Sequence, residues 1–167
     1  MRKLSILLFL CAGLCFTSSA QQPKHKLPAD LIQYFTGTWK GAGTFSNGKP
    51  IAATATFNMS LDSTWLQYEH TDVPPNQYKA HSVWGVDANG DLLAYIFDNF
   101  GGHRQFQGNY SAGGLLLTNI QLNQQGQKVY SHFVYQRLTA NTFKMAFEMS
   151  QDSLKWRMID TLIFHKN

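Results

Sequence analysis

The sequence predicts an all-β protein, a closed ten-stranded antiparallel up-and-down barrel with one short N-terminal helix. Three observations carry this expectation. Short β-type runs are separated by turn-like breaks at Ser46-Asn47-Gly48-Lys49, Ala88-Asn89-Gly90-Asp91, Phe100-Gly101-Gly102, Ser111-Ala112-Gly113-Gly114, Asn123 to Gln127, Thr139-Ala140-Asn141 and Gln151-Asp152-Ser153. Asn-Gly and Gly-Gly pairs supply the positive φ angles that tight hairpins need. No second helical pattern follows the first, and closure of so many strands removes exposed edges. A two-sheet sandwich is the alternative architecture.

Residues 1–20 read as an export signal rather than as fold. Arg2 and Lys3 form a basic start, Leu4 to Phe16 is apolar, and Ser18-Ser19-Ala20 offers small residues for cleavage before Gln21. The apolar run is shorter than the roughly 20 residues a spanning helix needs, so no membrane span is expected after cleavage. The expected location is exported, periplasmic or secreted. Cys11 and Cys15 are the only cysteines, and both lie in this segment. The remaining chain therefore offers no disulfide, thiol nucleophile or thiolate metal site. Loss of Arg2 and Lys3 lowers the net charge from +4 to +2, with no Lys/Arg stripe, which argues against a nucleic-acid partner.

Residues 21–27 read as a flexible leader and 28–167 as a single domain large enough for its own core. Leu31, Ile32 and Phe35 recur at helical spacing behind Pro28, and Gly37 stops the helix. The strands are expected at 38–45, 50–61, 64–73, 78–87, 91–99, 103–110, 114–122, 127–138, 142–150 and 154–165. Pro74-Pro75 breaks the connection after the third.

Hairpin geometry then sets register. A two-residue Asn89-Gly90 turn pairs Trp84 with Tyr95 on one face and His81 with Asp98 on the other. A two-residue Asp152-Ser153 turn pairs Met149 with Trp156, Phe147 with Met158, Phe143 with Leu162 and Glu148 with Arg157. At the first hairpin, Ile51, Ala53, Ala55, Phe57 and Met59 form an apolar face, yet a two-residue Asn47-Gly48 turn sets Trp39 opposite Thr56. Either that polar face looks into a cavity, or a bulge near Pro50 flips the register.

Gly37-Thr38-Trp39-Lys40-Gly41-Ala42-Gly43 resembles the opening of calycin-like (lipocalin-like) barrels, and its Gly-x-Trp-x-Gly-x-Gly form is similar to nitrobindin and its relatives. Leu61 to Tyr68, Trp84-Gly85-Val86-Asp87, Tyr95 to Asn99 with Gly108, then Phe147-Glu148 and Asp152, resemble a bacterial family of unassigned function. The resemblance covers most of residues 30–165. It implies a ten-stranded barrel with an interior cavity, and from nitrobindin a haem held by a histidine near the C-terminus, where His165 is the candidate.

Candidate chemistry is sparse. His81 and Asp98, if opposed, make an oriented imidazole suited to a general base for a hydrolase or isomerase, or simply a cavity-rim hydrogen bond. No spacing defines a nucleophile, so the residues favour binding over catalysis. Asp160 alternates with Trp156, Met158, Leu162 and Phe164, and a carboxylate on such a face must meet a donor, water or ligand. Gly101-Gly102-His103-Arg104 reads as a glycine turn or as basic groups at a barrel mouth. The six histidines show no metal-cage spacing. Trp39, Trp84, Tyr95, His81, Asp98 and Asp160 are the candidate ligand contacts. The function expected is binding of a small apolar or amphipathic molecule, with no cofactor required.

Overall fold

A computed structural model describes residues 25–167. The expected signal over 1–20, with Cys11 and Cys15, lies outside the described residues. The helix α1 (Ala29–Phe35) precedes ten strands. These are β1 (Gly37–Phe45), β2 (Pro50–Ser60), β3 (Trp65–Asp72), β4 (Lys79–Val86), β5 (Leu92–Asp98), β6 (His103–Ser111), β7 (Gly114–Leu122), β8 (Lys128–Thr139), β9 (Thr142–Ser150) and β10 (Arg157–Lys166). Each pairs antiparallel with its neighbour in the chain, and β10 returns to β1, so the barrel is closed. The expected bounds hold to within a residue for β1 to β9, whereas β10 begins later because its turn is longer.

The register differs from expectation at three hairpins, each time for a local reason. At the first, Phe45 N–H donates to Lys49 O (2.9 Å) and Gly48 N–H donates to Phe45 O (2.9 Å), closing a three-residue loop with Gly48 at φ 80°. This is the turn-plus-glycine-bulge loop, one residue longer than the tightest hairpin. Trp39 therefore pairs with Ala55 on the apolar face, and the flip arises in the turn itself. Asp87 to Asp91 repeats the arrangement, with Gly90 at φ 92°. Ala80 thus pairs with Asp98 and His81 with Phe97, so the expected pairing of His81 with Asp98 does not form, nor that of Trp84 with Tyr95. Between β9 and β10 a bulge separates Met158 from Asp160; Arg157 pairs with Met149, Met158 with Glu148, Asp160 with Phe147 and Phe164 with Phe143.

One end of the barrel is plugged. Phe35 projects from α1 into the lumen and meets Phe57, Trp84, Tyr135 and Phe143 with ring centroids 5.2 to 5.8 Å apart. The contacts to Trp84, Tyr135 and Phe143 are edge-on, which suits the aromatic quadrupole. The helix is short, so its terminal carbonyls need outside donors. Trp39 Nε1 donates to Phe35 O (2.7 Å), Lys166 Nζ to Tyr34 O (3.0 Å) and Thr36 Oγ1 to Ile32 O (2.7 Å). The opening tryptophan is thus both core side chain and helix cap. At the other end of α1, Asp30 accepts from the Tyr110 hydroxyl, and Arg137 Nη2 donates to Asp30 O (3.0 Å). Leu27, within the expected leader, is buried in the same cluster.

The β1–β10 seam that closes the barrel depends on small residues. The Phe164 ring occupies the space over Gly41, and a Cβ on Gly43 would lie 1.8 Å from the Thr161 carbonyl oxygen. Gly48 has open space around it, so only its positive φ resists a side chain. Gly43→Ala is expected to lower the unfolding free energy by about 2–3 kcal/mol. Gly48→Ala should cost about 1 kcal/mol. Urea denaturation of the two variants checks the order.

Candidate functional site

The plug leaves the other half of the lumen unfilled. A cavity of about 380 Å³ lies there, among strand ends and loops remote from α1. Its apolar wall includes Phe45, Ile51, Ala80, Ile96, Phe133 and Met145. Asn76, Gln77 and Phe100 come from the connections at that end.

A polar track crosses this apolar surface. Tyr68, His70 and Asp72 follow one another at every second position of β3, so all three face inward. His70 Nε2 lies 2.8 Å from Asp72 Oδ1, and His70 Nδ1 lies 2.9 Å from the Tyr68 hydroxyl. The Asp72 carboxylate accepts only, so Nε2–H donates to it, while Nδ1 faces the Tyr68 hydroxyl. Burial pushes the Tyr68 hydroxyl well above its ordinary pKa. This track is not among the expected site residues: Tyr68, His70 and Asp72 share the inward face with Leu66, but the outward Gln67, Glu69 and Thr71 are polar too, so alternation of polarity does not mark it.

Asp160 enters the cavity from β10. Burial pushes its carboxyl up to about 6, against the opposing pull of His70, and the Asp72 carboxylate adds to the rise. Three buried side-chain polar atoms lack a well-aligned hydrogen bond among the described residues: Asp160 Oδ1, Arg137 Nε and Tyr135 Oη, the last close to the Tyr68 hydroxyl. Two of the three, on Tyr135 and Asp160, belong to residues lining the cavity. Arg104 reaches the cavity from β6 and donates from Nη2 to Asp98 Oδ2 (3.3 Å) and to the Tyr78 hydroxyl (3.3 Å).

Of the expected ligand contacts, the structure brings Asp160 alone to the cavity. Trp39 and Trp84 are fully buried in the plug. Trp84 Nε1 is satisfied by Ser82 Oγ (2.9 Å). Tyr95 sits on the outward face beside Trp65, whose ring occupies the space over Gly85. His81 is also outward and pairs with Glu69 across β3–β4. Asp98 braces its own hairpin, accepting from Phe100 N (3.1 Å) and Gly102 N (2.8 Å) as well as from Arg104. The proposed base and its orienting carboxylate are therefore on different faces.

The haem ligand expected from the nitrobindin resemblance does not fit. His165 alternates with inward Phe164, is exposed, and lies 3.2 Å from Thr142 Oγ1 through Nδ1. The cavity's own histidine, His70, has both ring nitrogens engaged. No group of three or more His, Cys, Asp or Glu able to hold a metal occurs among the described residues. No helix among them is long and apolar enough to cross a membrane.

No protein-family model matches the chain, and no curated protein sequence is similar to it. Solved structures do match. The M. tuberculosis protein Rv2717c has a TM-score of 0.54 at 12% identity, covering 85% of this chain and 99% of that one. A de novo designed fluorescence-activating β-barrel has a TM-score of 0.45 at 13% identity, covering 84% of this chain and 100% of that one. At 12% identity the likeness to the mycobacterial protein is one of fold.

The Asp160 environment has a consequence for stability. A carboxyl whose folded pKa exceeds its unfolded value binds more protons in the folded state, so stability falls as pH rises through that interval. From the ordinary 3.8 to about 6, Asp160 is expected to remove on the order of 2–3 kcal/mol. Asp160→Asn should match the parent near pH 4 and exceed it by up to that amount near pH 7. Urea unfolding across that range checks the difference; equal slopes would contradict it.

Proposed function

We propose that this chain is an exported barrel that binds a small apolar or amphipathic molecule in its cavity. One observation carries the reading: an unfilled space of about 380 Å³ with mostly apolar walls holds two polar atoms without a well-aligned hydrogen bond, Tyr135 Oη and Asp160 Oδ1. Small-molecule sites occupy roughly 300–1,000 Å³ and pair apolar walls with a few polar groups that fix orientation. A buried polar atom without a partner costs about 1–3 kcal/mol, so a ligand that satisfies both gains affinity from them. A barrel serving as a filled structural module has no reason to keep such groups inside. The basic-apolar-small pattern of residues 1–20 supports export.

Binding is better supported than turnover. His70 is held at both nitrogens, by Asp72 and by the Tyr68 hydroxyl, so it does not stand ready to take a proton from a substrate. The track fixes a wall of the cavity instead.

The neutral dye Nile red tests this reading. The expected result is saturable one-to-one binding with a blue-shifted emission. Ala80 lines the cavity, so Ala80→Phe should fill part of it and weaken binding at least about tenfold while the circular dichroism spectrum is retained. Absence of binding, or binding indifferent to that substitution, would overturn the proposal. Native mass spectrometry of the protein as isolated then supplies the mass of any molecule carried along.

A further inference from the structure

The charges around the cavity point to the kind of head group it accepts. Asp72 and Asp160 both face the space, and the imidazole between them and the Tyr68 hydroxyl is the nearest partner. The one guanidinium in the lining, that of Arg104, already faces the Asp98 carboxylate. Asp98 in turn accepts from the Phe100 and Gly102 amides. The lumen thus has carboxylates in excess over cations. Tyr135 is 1% exposed, lines the cavity and leaves its hydroxyl without a well-aligned hydrogen bond, as Asp160 leaves Oδ1.

We propose that the cavity selects an apolar molecule ending in a protonated amine, held by Asp160 and Tyr135, and rejects its carboxylate counterpart. The proposal rests on the binding reading above and names the ligand class for the same site. An ammonium offers three donors and no acceptor. It can give one hydrogen to Asp160 Oδ1 and one to a Tyr135 Oη lone pair, and its charge offsets the surplus carboxylate. A neutral alcohol can make the hydrogen bonds but leaves the charge uncompensated. A carboxylate brings a further negative charge into a low-dielectric space and has nothing to donate to Asp160. Charge-assisted hydrogen bonds of the first kind are stronger than neutral ones.

The groups facing Asp160 are His70, Asp72 and Tyr68 from β3, Tyr78 beside β4 and Tyr135 from β8, and Arg104 from β6 lines the same cavity. Its carboxyl, lifted to about 6 by burial, is ionised at neutral pH and protonated in mild acid. The amine preference should therefore weaken as pH falls through that value.

Octylamine, octanol and octanoate, titrated directly by calorimetry into the full folded chain, form the test. At about pH 7.5 octylamine should bind at least about tenfold tighter than octanol, with octanoate weaker still. In Asp160→Asn the amine advantage should vanish, and at about pH 5 it should shrink in the parent. The ¹³C resonance of the Asp160 carboxyl supplies a readout independent of affinity: saturation with octylamine should move its titration to lower pH. Octanol or octanoate binding as tightly as the amine overturns the proposal. So does an amine preference that persists in Asp160→Asn, or failure of octylamine to bind a protein that takes up Nile red. Failure of Nile red itself overturns the binding reading, so the two are told apart.

Discussion

A ten-stranded barrel encloses more space than the inward-facing side chains of its own strands fill, and this constraint governs the molecule. Eight strands already suffice for a packed interior, and diameter grows with strand number. The chain fills one end by adding a helix whose Phe35 enters among four aromatic rings. It leaves the other end open. Closure needs β1 to approach β10 closely, which the glycines at 41 and 43 permit, and the plug needs the helix fixed, which Trp39 and Lys166 achieve by accepting the role of caps. The cavity is what remains once both demands are met.

The closed end and the cavity end obey different chemistry. Around Phe35 the indole nitrogens of Trp39 and Trp84 have partners within the chain. Around the cavity, Asp160 Oδ1 and Tyr135 Oη lack well-aligned ones, and the Asp160 carboxyl is held far from its ordinary state by burial. Packing at the closed end therefore supplies the stability that tolerates an unfavourable arrangement at the other. Such strain concentrates at functional sites and persists only where the surrounding structure over-determines it.

Element positions were legible because a strand's alternation and a hairpin's glycine are local signals. The pairing between strands was not, since a one-residue change in loop length shifts every partner. Asn47-Gly48 and Asn89-Gly90 suit a two-residue turn, yet both glycines occupy the left-handed last position of a three-residue loop. That single difference moved Trp39 onto the apolar face, as the alternative of a flipped register anticipated, and separated His81 from Asp98. At the last hairpin a longer turn shifts the pairing by one residue, and the bulge between Met158 and Asp160 shifts it by one more. Asp160 lines the cavity because its inward direction follows from its own strand: Leu162 and Phe164 share its face and are fully buried.

The faces of β3 and β5 show why the rest of the site could not be read from alternation. In β5 the outward residues Leu93, Tyr95 and Phe97 are as apolar as the inward Leu92, Ala94 and Ile96, so composition does not distinguish inside from outside. In β3 the inward face begins with Leu66 and Tyr68 and ends with His70 and Asp72, which read as a surface if the barrel is assumed to be dry. The assumption fails because the lumen changes character along its axis, from aromatic plug to polar-streaked cavity. A strand crossing both regions must change inward residue type part-way. The change falls between Leu66 and His70, at Tyr68, whose ring stacks on Phe57 of the plug at 4.4 Å while its hydroxyl meets His70. One side chain thus joins the packed half to the polar half, with its apolar body in one and its hydroxyl in the other.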